Sequence, residues 1–205
     1  YPEYTQHLVK AGLTQVNFSI KGADAKTHDM HTRTPGSHQF MLRGILEARR
    51  HRLTLTGDIL VTKKNLSELV SMIERYTSAG VEKYNIWMLS AFDQNTEQVR
   101  NLVPRISDVA TEVISAVDAH IVEQDNFITS LHTPPCLMPV EYFANTFNSA
   151  EMDLLVVNPG GYSFRLEESP IEGGTYLEKC NSCQMRPHCG GIRQDYLDIY
   201  GDEEF

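Results

Sequence analysis

The four cysteines of the chain are distributed so unevenly that they fix where its last third has to converge. None precedes Cys136, and Cys180, Cys183 and Cys189 follow one another as Cys-x2-Cys-x5-Cys. Thiolates gather in this way where a metal or a cluster must be held. A Cys-x2-Cys turn aims two sulfurs at one centre, and a short loop brings in the third. Cys136 completes a set of four, which is the number that fully ligates a 4Fe–4S cluster. Pro134, Pro135 and Pro139 stiffen its loop, while Pro187 and Gly190-Gly191 supply compact turns around Cys189. A structural zinc using the same four sulfurs, or three of them with His188 or His132, fits the spacing as well. A disulfide framework fits poorly, because it spreads cysteines through a small secreted chain that lacks a core of this size.

Composition narrows the partners. At 205 residues the chain has room for one substantial core and a small appendage. No apolar run is long enough to cross a bilayer and no charged-then-apolar leader is present, so a cytoplasmic location and no membrane partner are expected. A net charge of −9 argues against a phosphate-backbone partner, and so against nucleic acid. The densest basic cluster, Arg49 to Arg52, closes an amphipathic helix, where positive charge suits the helix dipole.

The first 125 residues alternate strand-like and helix-like stretches. A helix over Thr5–Ala11 precedes a strand over Leu13–Ile20, a polar loop from Lys21 to Gly36 and a helix over Ser37–Arg50. Leu53–Thr62 is the next strand. Asn65 and Glu68 then have the spacing of a capping box, opening a helix that runs to Ala79 and stops at Gly80. Tyr84–Leu89 reads as a strand, Glu97–Ala119 as a helical region split at Pro104, and Ala119–Glu123 as a short fourth strand. Strands separated by helices of this length imply parallel βα units. Beyond Phe127 the pattern changes to a proline-bracketed loop, and a hairpin pairs Asp153–Val157 with Tyr162–Leu166 around Asn158 to Gly161. The cysteine cluster follows, and a last helix runs from about Gly191 to Tyr200.

Phe18 to Asp29, continuing through Thr32-Arg33 and Pro35-Gly36-Ser37, resembles the loop after the third strand of radical SAM barrels. Ile59 to Asn65 resembles that family's fourth strand, with a Thr-x-x-Asn ending before a helix. Cys-x2-Cys-x5-Cys-Gly-Gly, followed by Tyr196 and Gly201 and preceded by a hairpin, is similar to the auxiliary-cluster modules called twitch and SPASM domains. One cluster's worth of thiols favours the shorter twitch type. The resemblance implies an α/β fold: a partial parallel βα barrel of radical SAM type, about its last four units, over residues 1–126. A small α+β cysteine-rich module with a β-hairpin would occupy residues 127–205. The family's Cys-x3-Cys-x2-Cys is absent, so the units carrying the radical-generating cluster are expected to precede Tyr1 in the complete protein.

What the resemblance implies for function is a C-terminal portion of a radical SAM enzyme. The full enzyme would generate a 5′-deoxyadenosyl radical and abstract hydrogen from a peptide or a small biosynthetic substrate, with an electron donor as partner. Its cofactors would be S-adenosylmethionine, a 4Fe–4S cluster in the preceding segment, and an auxiliary 4Fe–4S cluster on Cys136, Cys180, Cys183 and Cys189. Ser19, Arg33, Thr62, Asn65 and Ser90 would contact the cofactor, the Arg33 guanidinium donating to the cofactor's carboxylate; Asn65 equally suits a helix cap, and Trp87 and Met88 suit the core. His28, His31 and His38 match no single helical or strand face, which leaves His28 to orient its loop. Asp195 reads as solvated charge. Two alternatives stand beside this reading: a zinc-stapled, non-enzymatic binding module, and a degenerate partner subunit that carries only the auxiliary cluster.

Overall fold

The computed structural model describes residues 2–92, 96–120, 127–169 and 172–205. Five strands hydrogen-bond in chain order: β1 (Gln15–Ile20), β2 (Thr54–Val61), β3 (Lys83–Met88), β4 (Phe127–Leu131) and β5 (Thr146–Phe147). β1 runs parallel to β2, with Gln15 opposite Thr54 and Ile20 opposite Ile59, and β4 runs parallel to β5. The helices joining them are α1 (Pro2–Lys10), α2 (Ala25–Thr32), α3 (Ser37–Arg50), α4 (Leu69–Ala79), α5 (Glu97–Arg100) and α6 (Ile106–His120). The chain is therefore α/β, as its alternating pattern requires. It divides into two compact units, 1–87 with 112–128 and 88–111 with 129–205.

In the first unit the period-2 pattern of the strands buries one face. Ile20, Leu55, Ile59, Val61, Tyr84 and Ile86 are almost wholly excluded from water, each burial worth about 1.5–3 kcal/mol for the larger apolar side chains. On α4, Leu69, Met72, Ile73 and Tyr76 form the apolar stripe that the 3.6-residue period demands. The two deepest tyrosines satisfy their hydroxyls internally: Tyr76 donates to the Gly22 carbonyl at 2.9 Å, and Tyr84 to that of Ile73 at 3.3 Å. Gly80 ends α4 at φ 109°, in the left-handed region where glycine carries no Cβ penalty.

Several expectations need correction. The polar loop over 21–36 contains α2, which has no apolar stripe to reveal it. Asp24 starts it by accepting the Thr27 N–H at 2.9 Å, and Arg33 ends it at φ 54°. One α2 side chain then organises the next helix: the Asp29 carboxylate accepts from the His38 and Gly36 amides and the Ser37 hydroxyl, at 2.8, 2.6 and 2.9 Å. Those bonds, the His38 amide first, hold its carboxyl below the ordinary value. Asn65 and Glu68 do not form a capping box. A turn of 3-10 helix, Leu66–Glu68, precedes α4, and Glu68 instead accepts from the Ala23 N–H and the Thr27 hydroxyl, at 2.9 and 2.6 Å. The fourth strand is β4 at Phe127–Leu131, because α6 continues through Ala119 and His120; residues 121–123 of the expected strand lie outside the described residues. The first helix begins at Pro2, three residues before the expected Thr5.

His28 gives this unit an acid limit. Its ring is buried, and Nδ1 accepts the Lys21 N–H at 3.3 Å. Burial first, and then the nearby His38, bring its pKa from 6.5 down to about 4. Above pH 6.5 the ring is neutral whether the chain is folded or not. Below that the unfolded chain takes up a proton that the folded one refuses, so stability falls between pH 6.5 and about 4. The expected loss is about 2 kcal/mol, read from urea unfolding at pH 7 and pH 4.5. His28→Asn retains an acceptor for Lys21 and should flatten that dependence; an unchanged slope would assign the acid sensitivity elsewhere.

The second unit carries the hairpin β6 (Leu155–Val157) and β7 (Ser163–Arg165), antiparallel around the expected Asn158 to Gly161 turn. A two-residue ladder pairs β8 (Gly174–Thr175) with β9 (Ile192–Arg193). The last helix, α7 (Gln194–Tyr200), begins three residues later than expected because β9 takes Ile192 and Arg193. Tyr196 is fully buried and accepts the Ile106 N–H at 3.0 Å, while Tyr200 donates to the Val103 carbonyl at 2.7 Å.

Candidate functional site

Successive turns present three of the thiols. Cys180 lies in the 3-10 turn Glu178–Ser182, the Cys183 amide donates to the Cys180 carbonyl at 3.2 Å, and that of Cys189 donates to Arg186 at 3.3 Å. The fourth comes from the proline-stiffened turn Pro135–Leu137 that follows β4. All four line one cavity of about 380 Å³, counting the part open to solvent, whose other walls include Ile192, Met185 and Phe205. The lining contains no histidine: His132 and His188 border a neighbouring cavity. The Gly191 N–H donates to Cys189 Sγ at 3.3 Å, and the Tyr176 hydroxyl fixes the Cys189 carbonyl at 2.6 Å.

Electrostatics reports the same convergence. Burial pushes the Cys136 thiol up, and Cys189, Cys183 and Cys180 push it further, since each negative sulfur opposes the next. Cys189 is raised by burial, with the Gly191 amide opposing it. A metal centre binds thiols as thiolates and displaces their protons. Among the described residues, no three His, Cys, Asp or Glu side chains are gathered tightly enough to hold a metal ion. Four thiols and apolar walls are a donor set that suits a thiolate-ligated metal centre, a zinc or an iron–sulfur cluster alike.

The loop carrying Cys189 continues into a buried ion pair that corrects the reading of Asp195 as solvated. Arg193 and Asp195 side chains retain 3% and 9% of their exposure. Arg193 donates to Asp195 at 2.9 and 2.7 Å and to the carbonyls of Met88 and Leu89 at 3.0 and 2.9 Å. Asp195 also accepts from the Ala91 N–H at 2.7 Å and the Ser90 hydroxyl at 3.1 Å. Ser90, placed by sequence among the cofactor contacts, thus points its hydroxyl at Asp195. In the first unit Thr62 and Asn65 are brought together: Asn65 Oδ1 accepts the Thr62 N–H and hydroxyl at 2.7 and 3.1 Å, and its Nδ2 donates to the Lys21 and Leu60 carbonyls. Arg33 is exposed at the end of α2, in a surface depression with Lys26 and Met30. Ser19 is exposed on β1, and neither it nor Arg33 hydrogen-bonds to Thr62 or Asn65 among the described residues.

Sequence reasoning missed a polar row across the open face of the first three strands. Asp58 accepts from Asn17 at 2.5 Å and from Asn85 at 2.9 Å, and Thr56 donates to Asn17 Oδ1 at 3.0 Å. By strand alternation Ser19 shares this face. The signal was present: amide, hydroxyl and carboxylate side chains recur at every second position of β1 and β2, where a solvent face usually carries long charged residues.

No protein-family model matches the chain. An AdoMet-dependent heme synthase of Methanosarcina barkeri is 32% identical over 88 residues, covering 43% of this chain and 25% of that protein. A protein of the same name from Nitratidesulfovibrio vulgaris is 24% identical over 201 residues, covering 95% of this chain and 51% of that protein. The chain thus spans at most about half the length of the curated relatives it matches. At this low identity the matches support a radical SAM relationship. Among the described residues no helix is long and apolar enough to cross a membrane.

Proposed function

We propose that the chain is the C-terminal portion of a radical SAM enzyme and that Cys136, Cys180, Cys183 and Cys189 hold an auxiliary 4Fe–4S cluster in it. The observation carrying this reading is that four thiols from two distant segments line one apolar cavity without a histidine. When bound, such a cluster supplies one-electron transfer within the protein. The chain's own residues place its ligands: the prolines before Cys136 and the Gly191 amide fix two sulfurs, and Arg193 with Asp195 anchors the loop between them and α7. The face of β1–β3 carrying Ser19, Asn17, Asp58 and Asn85 is the surface that would bind S-adenosylmethionine or substrate, since its polar side chains gather there as they do in ligand sites. Of the two substrate classes expected, the relatives' name favours a small biosynthetic intermediate over a peptide.

Anaerobic purification of the 205-residue chain tests the cluster. About four irons and four sulfides per chain are expected, with a brown colour bleached by dithionite. Each single Cys→Ser change should lower the iron content several-fold, Cys136→Ser included. A colourless chain that copurifies with zinc would overturn the reading in favour of a stapled binding module.

A further inference from the structure

The thiol-lined cavity shares part of its wall with a more polar one: Pro134, Pro135 and Gly191 border both. The polar cavity holds a buried histidine–carboxylate contact that ligation of the thiols does not use. His132 Nε2 and Glu172 Oε2 meet at 3.0 Å, with 7% and 8% of their side chains exposed. His132 stands at φ 68°, in the left-handed region that few residues other than glycine, Asn, Asp and His adopt. A conformation of that kind persists where the surroundings enforce it, and it collects at functional positions. The partner is fixed as well, because the Glu172 amide donates to Ser169 Oγ at 3.0 Å. The other ionisable groups lining this cavity are His188 and Arg193, and Arg193 is taken up by Asp195 and two carbonyls. About 30 Å³ is open to water-sized molecules, enough to hold a water against the pair.

We propose that His132, held by Glu172, takes up a proton when the centre in the adjoining thiol-lined cavity gains an electron. This rests on reading that cavity as a 4Fe–4S site. A low-potential one-electron donor supplies the electron, and the negative charge added behind the shared wall favours imidazolium over imidazole. One N–H bond forms on the ring. The proton comes from solvent, relayed by a water of the polar cavity that passes one proton to the ring and takes one back from bulk water. No thiolate bond breaks, and the protonated ring keeps its contact with the Glu172 carboxylate.

An EPR-monitored potentiometric titration of the iron-loaded chain at several pH values tests this. The wild-type midpoint potential should fall as pH rises, by up to about 59 mV for each tenfold drop in proton concentration. His132→Asn suits the left-handed backbone and should give a pH-independent midpoint at unchanged iron content. Glu172→Gln provides the second variant and should flatten the slope in the same way. A wild-type midpoint that ignores pH, or a slope that survives both substitutions, overturns the proposal while leaving the cluster in place. A chain that loads no iron overturns both readings, and metal analysis reveals this before any titration begins.

Discussion

Replacing Asp195 with Ala is expected to cost about 3–5 kcal/mol of folding stability, because it strands a guanidinium that water cannot reach. Arg193 keeps 3% of its side-chain exposure, and its charge is balanced by the Asp195 carboxylate through two hydrogen bonds. Arginine cannot lose its proton to escape the penalty. The same carboxylate accepts from the Ala91 amide and the Ser90 hydroxyl, so those donors lose their acceptor too. Burial alone would raise the carboxyl's pKa, and Arg193, the Ala91 amide and the Ser90 hydroxyl together bring it below the ordinary value. Denaturant unfolding of wild type and Asp195→Ala, prepared alike, measures the loss. An Arg193→Met, Asp195→Leu double replacement should lose far less, since it removes both charges. A single-mutant loss below about 1 kcal/mol would mean the pair behaves as a surface bridge, contrary to its burial.

Gly174→Ala should do comparable damage by a different route. A Cβ built at Gly174 would lie 1.9 Å from the Gly190 carbonyl oxygen and 2.7 Å from the Gly191 carbonyl carbon. Both are backbone atoms, so no side chain can swing aside. β8 and β9 pair through only two residues each, with Gly174 opposite Arg193 and Thr175 opposite Ile192, and such a ladder has no length over which to absorb a shift. The Gly191 amide that holds Cys189 Sγ moves with it. We expect a loss of about 3 kcal/mol or more together with a several-fold drop in bound iron. Gly161→Ala is the matched control: its Cβ meets nothing within 4 Å, so only the left-handed φ of 87° is penalised, about 1–2 kcal/mol, and iron loading should persist. If Gly174→Ala loads iron as wild type does, the close approach does not position the third cysteine.

What the sequence disclosed followed from how local each signal was. α3 was legible to the residue, since its apolar period, basic last turn and glycine start all lie within one stretch. The hairpin at Asn158 to Gly161 was legible for the same reason. α2 was not, because its stabilisation comes from Asp24 at its own start and from Glu68, distant in sequence. The exposure of Asp195 was misjudged because the arginine two residues before it turns inward to carbonyls near residue 88, a contact no window along the chain contains. The spacing of the cysteines suggested a common centre, and what the fold adds is that Cys136 lines the same cavity as the other three while His132 and His188 border another, which depends on where each loop faces.

The bonds from Asn65, Glu68 and Tyr76 to residues 21–27 carry a consequence for how such chains diverge. The Lys21 and Gly22 carbonyls, the Ala23 amide and the Thr27 hydroxyl all find their partners in the next βα unit. The two loops therefore form one energetic object, although some forty residues of chain separate them. A change in either leaves polar groups unmatched in the other until a second change follows. Over evolutionary drift they are bound to alter in step, and a loop transplanted from a relative would need its counterpart moved with it.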